Sequence, residues 1–348
     1  MVLTRTPAPA RPKTVAATQT RRGFVLLGCL GVLALVCLLS IALGTRNISP
    51  ATVWDAFFHY ADTDEQSIVR DLRVPRTILG LLAGVAFGLS GAVIQAVTRN
   101  PLADTQILGI NSGAGLFVVF AVGVLGLTNL TEYMWFGFAG VAFALTLVYL
   151  LGSVGRAGAT PVRLTLAGVA LGAVMDGVSG GIRLVKPRAF DYLRFWDVGS
   201  LAGRPLDVAT TILPFVVAGT VLALVVARSL NAVALGDDLA RTLGAGIGRT
   251  RVLATVSVML LAGAATAAVG PIGFVGLMVP HVVRWIVGPD QRWIFVYTVV
   301  CGPVLLLLAD ILGRLVVRPG ELRVGVVTAF VGAPVLIWWV RRARVSGL

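Results

Sequence analysis

Three ionisable residues, Asp176, His281 and Asp310, lie inside apolar runs long enough to be membrane spans. Burying such a group in hydrocarbon is expensive, so each points to an ion or proton path, a wet cavity or an internal partner. Asp310 and Arg314 stand four residues apart, and the simplest reading is a mutual pair on one helix face. Asp176 shares a stripe with Gly168, Gly172 and Gly180, and faces either a water-filled cavity or a neighbouring helix. His281 follows Pro280 near a helix end and reads as a hydrogen-bonded structural residue rather than a proton carrier. Other chemistries find no footing. The only lysines are Lys13 and Lys186 and neither follows a glycine, so the Gly-Lys-Ser/Thr phosphate loop is absent. His59 and His281 form no HExxH. Cys29, Cys37 and Cys301 sit in apolar runs without a CxxC and read as small apolar packers. The chain is expected not to be an enzyme and to bind no metal or cofactor of its own.

The elements that position these residues are membrane spans. Of 348 residues 57% are hydrophobic and 13% charged, with a mean hydropathy of +0.90. A soluble domain carries roughly 25% charged residues, so the fold class is an all-α polytopic membrane protein. The net charge of +13 comes from basic residues scattered between apolar runs, which fits membrane topology better than a nucleic-acid surface. Residues 1–22 are rich in Pro, Ala, Thr and Arg and are expected to form a disordered basic cytoplasmic tail. Residues 23–348 are expected to form one transmembrane domain of ten spans. The spans are Phe24 to Leu43, Thr77 to Val97, a third from a Gly-rich entry (Gly109 to Gly115) to Leu127, Trp135 to Leu151, Leu164 to Ile182, Val208 to Ala227, Val252 to Val269, the Gly270 stretch, Trp293 to Leu312 and Val324 to Val340.

The Gly270 stretch, GPIGFVGLMVPHVVR through Arg284, carries Gly270, Pro271, Gly273, Gly276 and Pro280. From Ile272 to Val287 it offers about 16 residues, or ~24 Å of helix, short of the ~20 residues that cross hydrocarbon unaided. Broken helices at membrane depth are tolerated only beside protein or a wet cavity, and they point to a translocation pathway. RNPLA (Arg99 to Ala103) is a second break. Spans two to five and seven to ten each pair a Gly-rich helix with a broken entry, which an inverted repeat would produce. Gly80, Gly84 and Gly88 form a small-residue stripe that lets a second helix approach backbone to backbone.

Between the spans, Thr45 to Arg76 is polar with an aromatic patch at Trp54, Phe57 and Phe58. Arg73 and Arg76 precede span two and Arg314 and Arg318 end span nine; they either snorkel or form a cationic rim that steers an acidic partner. The insert ALGDDLARTLGAGIGRTR (Ala234 to Arg251) reads as a short amphipathic helix begun by Asp237 and Asp238, with Leu239 and Leu243 on one side and Gly244 and Gly246 as its stop. Such a helix either meets a motor subunit or lies at the headgroups. Ten spans put both termini on one side, which collects 17 of the 29 Lys+Arg, while the other side carries ten of the 16 acidic residues. The positive-inside rule places both termini in the cytoplasm.

These blocks resemble the FecCD-type permeases of type II ABC importers, from about Ile48 to the C-terminus. The resemblance rests on RVPRT (Arg73 to Thr77), SGAVIQAVTRNPLADTQILGINSGA (Ser90 to Ala114), LAGVAL (Leu166 to Leu171), WDVGSL (Trp196 to Leu201), LGDDLARTLG (Leu235 to Gly244), the Gly270 stretch, ADILGR (Ala309 to Arg314) and GVVTAFVGAPVLIWW (Gly325 to Trp339). It implies a bacterial inner-membrane permease that imports an iron chelate, foremost a ferric siderophore, by alternating access. Its implied partners are a second permease subunit (the same chain or a paralogue), two ATP-binding subunits holding ATP-Mg, and an extracytoplasmic substrate-binding protein. By the resemblance, Arg73, Arg76 and Arg314 dock that protein, and Asp237, Asp238, Leu239, Ala240, Leu243 and Gly244, within coupling helices at about 234–250, enter the ATPase. Thr160, Pro161 and Val162 lie near the family's cytoplasmic gate, with Pro161 and Val162 where small hydroxyl residues can occur. Gly270, Pro271, Gly273 and His281 belong with the pathway. The alternatives are haem or cobalamin as cargo, and an ion-coupled secondary transporter relaying through Asp176 and Asp310.

Overall fold

The computed structural model describes residues 15–154, 160–242, 244 and 246–345. Fourteen α-helices run through them: α1 Val15–Ala42, α2 Pro50–Phe58, α3 Asp64–Ser67, α4 Val74–Thr98, α5 Ile110–Gly123, α6 Leu130–Ser153, α7 Pro161–Val185, α8 Pro187–Trp196, α9 Leu206–Ala234, α10 Asp237–Thr242, α11 Ile247–Val269, α12 Val275–Val287, α13 Gln291–Val316 and α14 Val324–Val345. A π-helical stretch, Ile68–Arg73, leads into α4, and a 3-10 turn, Thr105–Leu108, leads into α5. Seven helices are long and apolar enough to cross a membrane, and α5, α12 and α14 supply three shorter apolar helices. The ten expected spans are therefore all present as helices. Helices α2, α3 and α8 lie with the 317–323 turn at one end of the bundle (the α8 face), and α10 lies at the other (the α10 face).

The core is built on α4 and α11, whose residues are buried along most of their length. The glycine stripe explains how α4 gets there. A Cβ at Gly84 would stand 2.5 Å from Pro303 Cα of α13, so the two backbones touch where Gly84 meets Gly302 and Pro303. About two turns on, Gly91 meets Gly276 of α12 in the same way. Helices α1 and α7 leave most of their apolar surface uncovered, as a helix facing lipid or a partner subunit does.

Helices α4 to α7 and α11 to α14 form two runs of corresponding lengths, each with a short helix in second place, and the runs point in opposite directions. This is the expected inverted arrangement. Two sequence expectations need correction. Residues 1–14 lie outside the described residues, but Val15–Arg22 of the expected tail are helical and continue α1. Ala, Gln and Arg there are good helix formers, and Arg22 is held by the α12 end, donating from Nη2 to Val287 O at 2.6 Å. Between α7 and α9 the chain also forms the short helix α8. Finally, α12 is shorter than the 272–287 stretch, because Phe274 takes a left-handed conformation at φ 68° and delays the helix to Val275.

Candidate functional site

A polar cavity of about 590 Å³ opens beside α7, lined by Gln106, Asn111 and Ser112 of the α5 entry, Asp176, Ser179 and Arg183 of α7, Trp196 and Asp197 of α8, and Pro271. The stripe seen in the sequence sets this geometry. Gly168 and Gly172 lie against the Ile107–Ser112 segment, and one turn later Ser112 Oγ donates to Asp176 Oδ2 at 2.9 Å. Asp176 is exposed to the cavity while also accepting from Ser112 of the neighbouring α5, so both of its sequence readings are met at once. Arg183 donates to Asp197 through both Nη atoms (3.0 Å from Nη2 to Oδ1), which closes one wall with a matched charge pair.

The cavity is not saturated. Asn111 Oδ1, Ser179 Oγ and Trp196 Nε1 are buried atoms without a hydrogen-bond partner in the protein. Ser179 is 6% and Trp196 3% exposed, and both line the cavity. Unpaired buried polar groups cost about 1–3 kcal/mol each unless water or a passing solute satisfies them. Such a wall suits a hydrated passage that meets its solute weakly.

The broken stretch reaches this cavity at Pro271. Gly270 sits at φ 79°, which a side chain would strain, and a Cβ there would also strike Trp196 O. In return Ser200 N donates to Val269 O at 2.8 Å and Gly325 N to Gly199 O at 3.3 Å. The WDVGSL and GPIGF blocks thus interlock. Asp104, in the loop after α4, accepts from the backbone N–H groups of Thr105 and Phe274 and pins the other end of the break. Pro280 cannot donate to Gly276 O as a helical residue normally would; Gln95 Nε2 reaches that carbonyl instead at 3.2 Å, with Arg284 Nη2 holding the Gln95 amide at 3.2 Å. Gly273 lies beside Gln106. His281 packs edge-on against Trp285, 5.0 Å between centroids, in a separate apolar pocket with Pro101, Leu102 and Val335, away from the polar cavity. Pro271 thus lines the polar cavity, and His281 lies apart from it.

A second polar cluster lies at the α8 face. Asp310 is fully buried and accepts from Arg76 (Nε at 3.1 and 3.0 Å, Nη2 at 2.7 Å) and from Arg314 Nη2 at 2.6 Å. Arg76 also donates to Glu321 at 2.8 Å. Arg314 Nη1 donates to Ser40 O and Leu43 O at 2.8 and 2.9 Å, and Arg73 to Ile41 O, Ala42 O and Arg46 O at 2.8, 2.6 and 2.6 Å. Two guanidinium groups thus cap the carbonyl end of α1, where the helix dipole is negative. The expected open rim is not what forms. Arg73 is 5% and Arg314 3% exposed, because the orphan carbonyls of α1 and the buried carboxylate draw them inward. The i,i+4 pair of Asp310 and Arg314 is present as the sequence implied. A depression of about 490 Å³ lies above the cluster, lined by exposed Arg46 and Glu321 as well as Arg73, Arg76 and Arg314.

On the α10 face, Asp237 pairs with Arg99 and with Arg251 Nη2 at 2.9 Å. Burial alone would push its carboxyl up, but the two arginine charges outweigh it and hold it below the usual carboxylate range. Ala240 is buried, whereas Asp238 and Leu239 point outward with Leu235. Gly244 has φ 77°, and Leu243 lies outside the described residues. Thr160 Oγ1 accepts from Arg163 N at 3.4 Å and caps α7, which gives it a structural task; Val162 is exposed and the side chain of Pro161 lies outside the described ones.

Sequence reasoning missed Ser112, Ser179, Trp196 and the Arg183–Asp197 pair. Ser112 and Trp196 stand in polar or Gly-rich breaks that could have flagged them, and Ser179 stands in the Gly-rich string GVSGG, three residues after Asp176. Among the described residues no cluster of His, Cys, Asp and Glu could hold a metal ion.

Comparison with known proteins gives a consistent picture. The model of the FecCD transport family matches residues 32–342. The ferric enterobactin transport system permease of Escherichia coli is 46% identical over 94% of this chain and 97% of its own length. A siderophore transport system permease of Bacillus subtilis is 37% identical over 92% of this chain and 96% of its own. A solved metal-chelate type ABC transporter in an inward-facing conformation superposes with a TM-score of 0.81 at 24% identity, over 92% of this chain and 99% of that one.

Proposed function

Because the chain belongs to the FecCD transport family, we propose that its polar cavity is one wall of the pathway by which an ABC importer passes a ferric siderophore across the bacterial inner membrane. The chain is a multi-pass permease that works with other ABC subunits. The single observation behind the pathway is the cavity itself: a polar recess, carrying buried unpaired groups, beside a broken helix in an otherwise apolar bundle. Two permease subunits would bring two such walls together. ATP-Mg on two separate subunits would drive them between outward-open and inward-open states, with α10 receiving the stroke through exposed Asp238 and Leu239 and through Leu235 just before it. That assignment puts α10 and both termini in the cytoplasm, as the charge asymmetry of the loops supports.

The α8 face would then receive the substrate-binding protein. Its acidic side chains would meet exposed Arg46 and Arg318 and the flank of Arg76, while Arg73 and Arg314 act from beneath by fixing the α1 end. Charge reversal at Arg46 and Arg318 is therefore the clean docking test; reversal at Arg73 would break the fold first.

Asp310 argues against the ion-coupled alternative. A relay carboxylate must be reachable by the ion, and Asp310 is fully enclosed between two guanidinium groups. The deciding experiment reconstitutes the chain with its ATP-binding subunits and binding protein in liposomes, then offers ferric tris-catecholate, ferric tris-hydroxamate, haem and cobalamin. ATP-dependent uptake of one of the iron chelates supports the reading. Uptake on a proton or sodium gradient without ATP overturns it, and uptake of haem or cobalamin alone moves the cargo within the same machine.

A further inference from the structure

Helix α10 hangs between two glycines. Gly236 before it has φ 110° and Gly244 after it φ 77°, and a Cβ at either would meet nothing within 4 Å. Neither glycine has a side chain to brace it against the bundle, so at these two positions a push on α10 is not passed on unless something else holds the helix. The chain also joins α10 directly only to α9 and α11. Nothing covalent ties it to α4, which opens the other half of the inverted pair.

Asp237 supplies both missing ties. It is the first residue of α10, and its carboxylate turns inward to Arg99 and to Arg251. Arg99 is the left-handed residue that closes α4, with φ 51°. Arg251 lies in the first turns of α11, with Nη2 at 2.9 Å from Oδ2 and 3.2 Å from Oδ1 of Asp237. Helices α4 and α11 are the corresponding first helices of the two opposed runs, and they pack against each other in the core. One carboxylate thus joins the outward-facing helix to the leading element of each half. Asp238, the next residue, points to solvent and pairs with Arg241 within α10.

We propose that Asp237 is a positioning residue for coupling: it locks α10 to α4 and α11 so that displacement of α10 moves both halves together. Its task is inward transmission, and the contact with the motor is left to Leu235, Asp238 and Leu239. The proposal rests on the reading that α10 receives the ATP-driven stroke.

The test uses the complete transporter in liposomes with the iron chelate that the wild-type complex imports. It compares wild type, Asp237→Asn, Asp237→Glu and Arg99→Gln by chelate imported per ATP hydrolysed, and by co-elution of the ATP-binding subunits. We expect Asp237→Asn and Arg99→Gln to co-elute as wild type does and to lose about fivefold or more in chelate per ATP. Asp237→Glu, which keeps the charge, recovers most of that ratio. Raising ionic strength should lower the ratio in wild type more than in Asp237→Asn, because half-exposed pairs are screened. An unchanged ratio in Asp237→Asn overturns the proposal. Loss of co-elution in that variant also overturns it, since Asp237 would then be a docking contact. A wild-type complex that hydrolyses ATP without importing any chelate fails the functional reading, and the proposal falls with it; an unchanged ratio in a working complex strikes the proposal alone.

Discussion

Asp310 and Asp176 are both aspartates within apolar helices, and the structure treats them in opposite ways. Asp310 accepts from two guanidinium groups and sees no solvent. Asp176 accepts from one serine hydroxyl and faces an open cavity whose walls hold unpaired polar atoms. The first site is closed electrostatically and the second is left unfinished. An intramembrane charge is therefore not in itself a mark of transport chemistry. What separates structure from passage is whether the surrounding protein has already satisfied it.

The largest effect should come from opening the closed site. Asp310→Asn leaves Arg76 and Arg314 without their shared counter-charge, and breaking a buried pair in this way costs about 3–5 kcal/mol. Thermal unfolding of the purified protein should show it as a large fall in midpoint; a variant as stable as wild type would mean that the cluster is hydrated. Arg73→Met comes next. It strips the donors from Ile41 O, Ala42 O and Arg46 O and should cost about 1–3 kcal/mol, visible as faster proteolysis in the connection between α1 and α2.

The open site should invert that pattern. Asp176→Asn should change stability by no more than ~0.5 kcal/mol yet lower chelate uptake by the assembled transporter about fivefold, ~1 kcal/mol of barrier. If stability falls and transport does not, the two aspartates are alike after all. Ser179→Ala removes a buried hydroxyl without a partner and should be neutral or stabilising by up to ~1 kcal/mol, measured in the same unfolding assay.

The smallest effect concerns pH. The Asp237 carboxyl is held low by Arg251 and Arg99 against its own burial. A lowered carboxyl contributes stability above its unfolded value, near 4, and loses it only as pH falls through the still lower folded value. The tie between α10, α4 and α11 should accordingly stay charged between about pH 5 and pH 8. Chelate imported per ATP should be flat across that window; a step within it would place the carboxyl in the ordinary range.

Much of this was legible before any coordinates. The number of spans followed from apolar length, the close approach of another helix to α4 from the Gly80, Gly84 and Gly88 stripe, and the break at Gly270 from glycine and proline; which helices approach α4 came only from the structure. The Asp310–Arg314 pair followed from i,i+4 spacing. Other features were hidden for a reason common to all of them. Arg73 is the N-cap of α4 and Arg76 lies in its first turn, and their partners are carbonyls at the end of α1 and carboxylates in and after α13, roughly thirty and more than two hundred residues away. Nothing in the local pattern of Arg73 distinguishes a guanidinium that reaches out from one that folds back. The Asp237 tie to Arg99 spans a comparable gap.

The sequence by itself determined which segments enter the membrane, because transfer of apolar side chains depends on composition and length within each segment. It also determined where helices must break, because backbone freedom at glycine and the missing donor of proline are local properties. Only the tertiary structure decided which charges are consumed and which are left for a solute. That outcome depends on distances between residues far apart in the chain, and a buried charge takes whichever partner packing brings within hydrogen-bond reach.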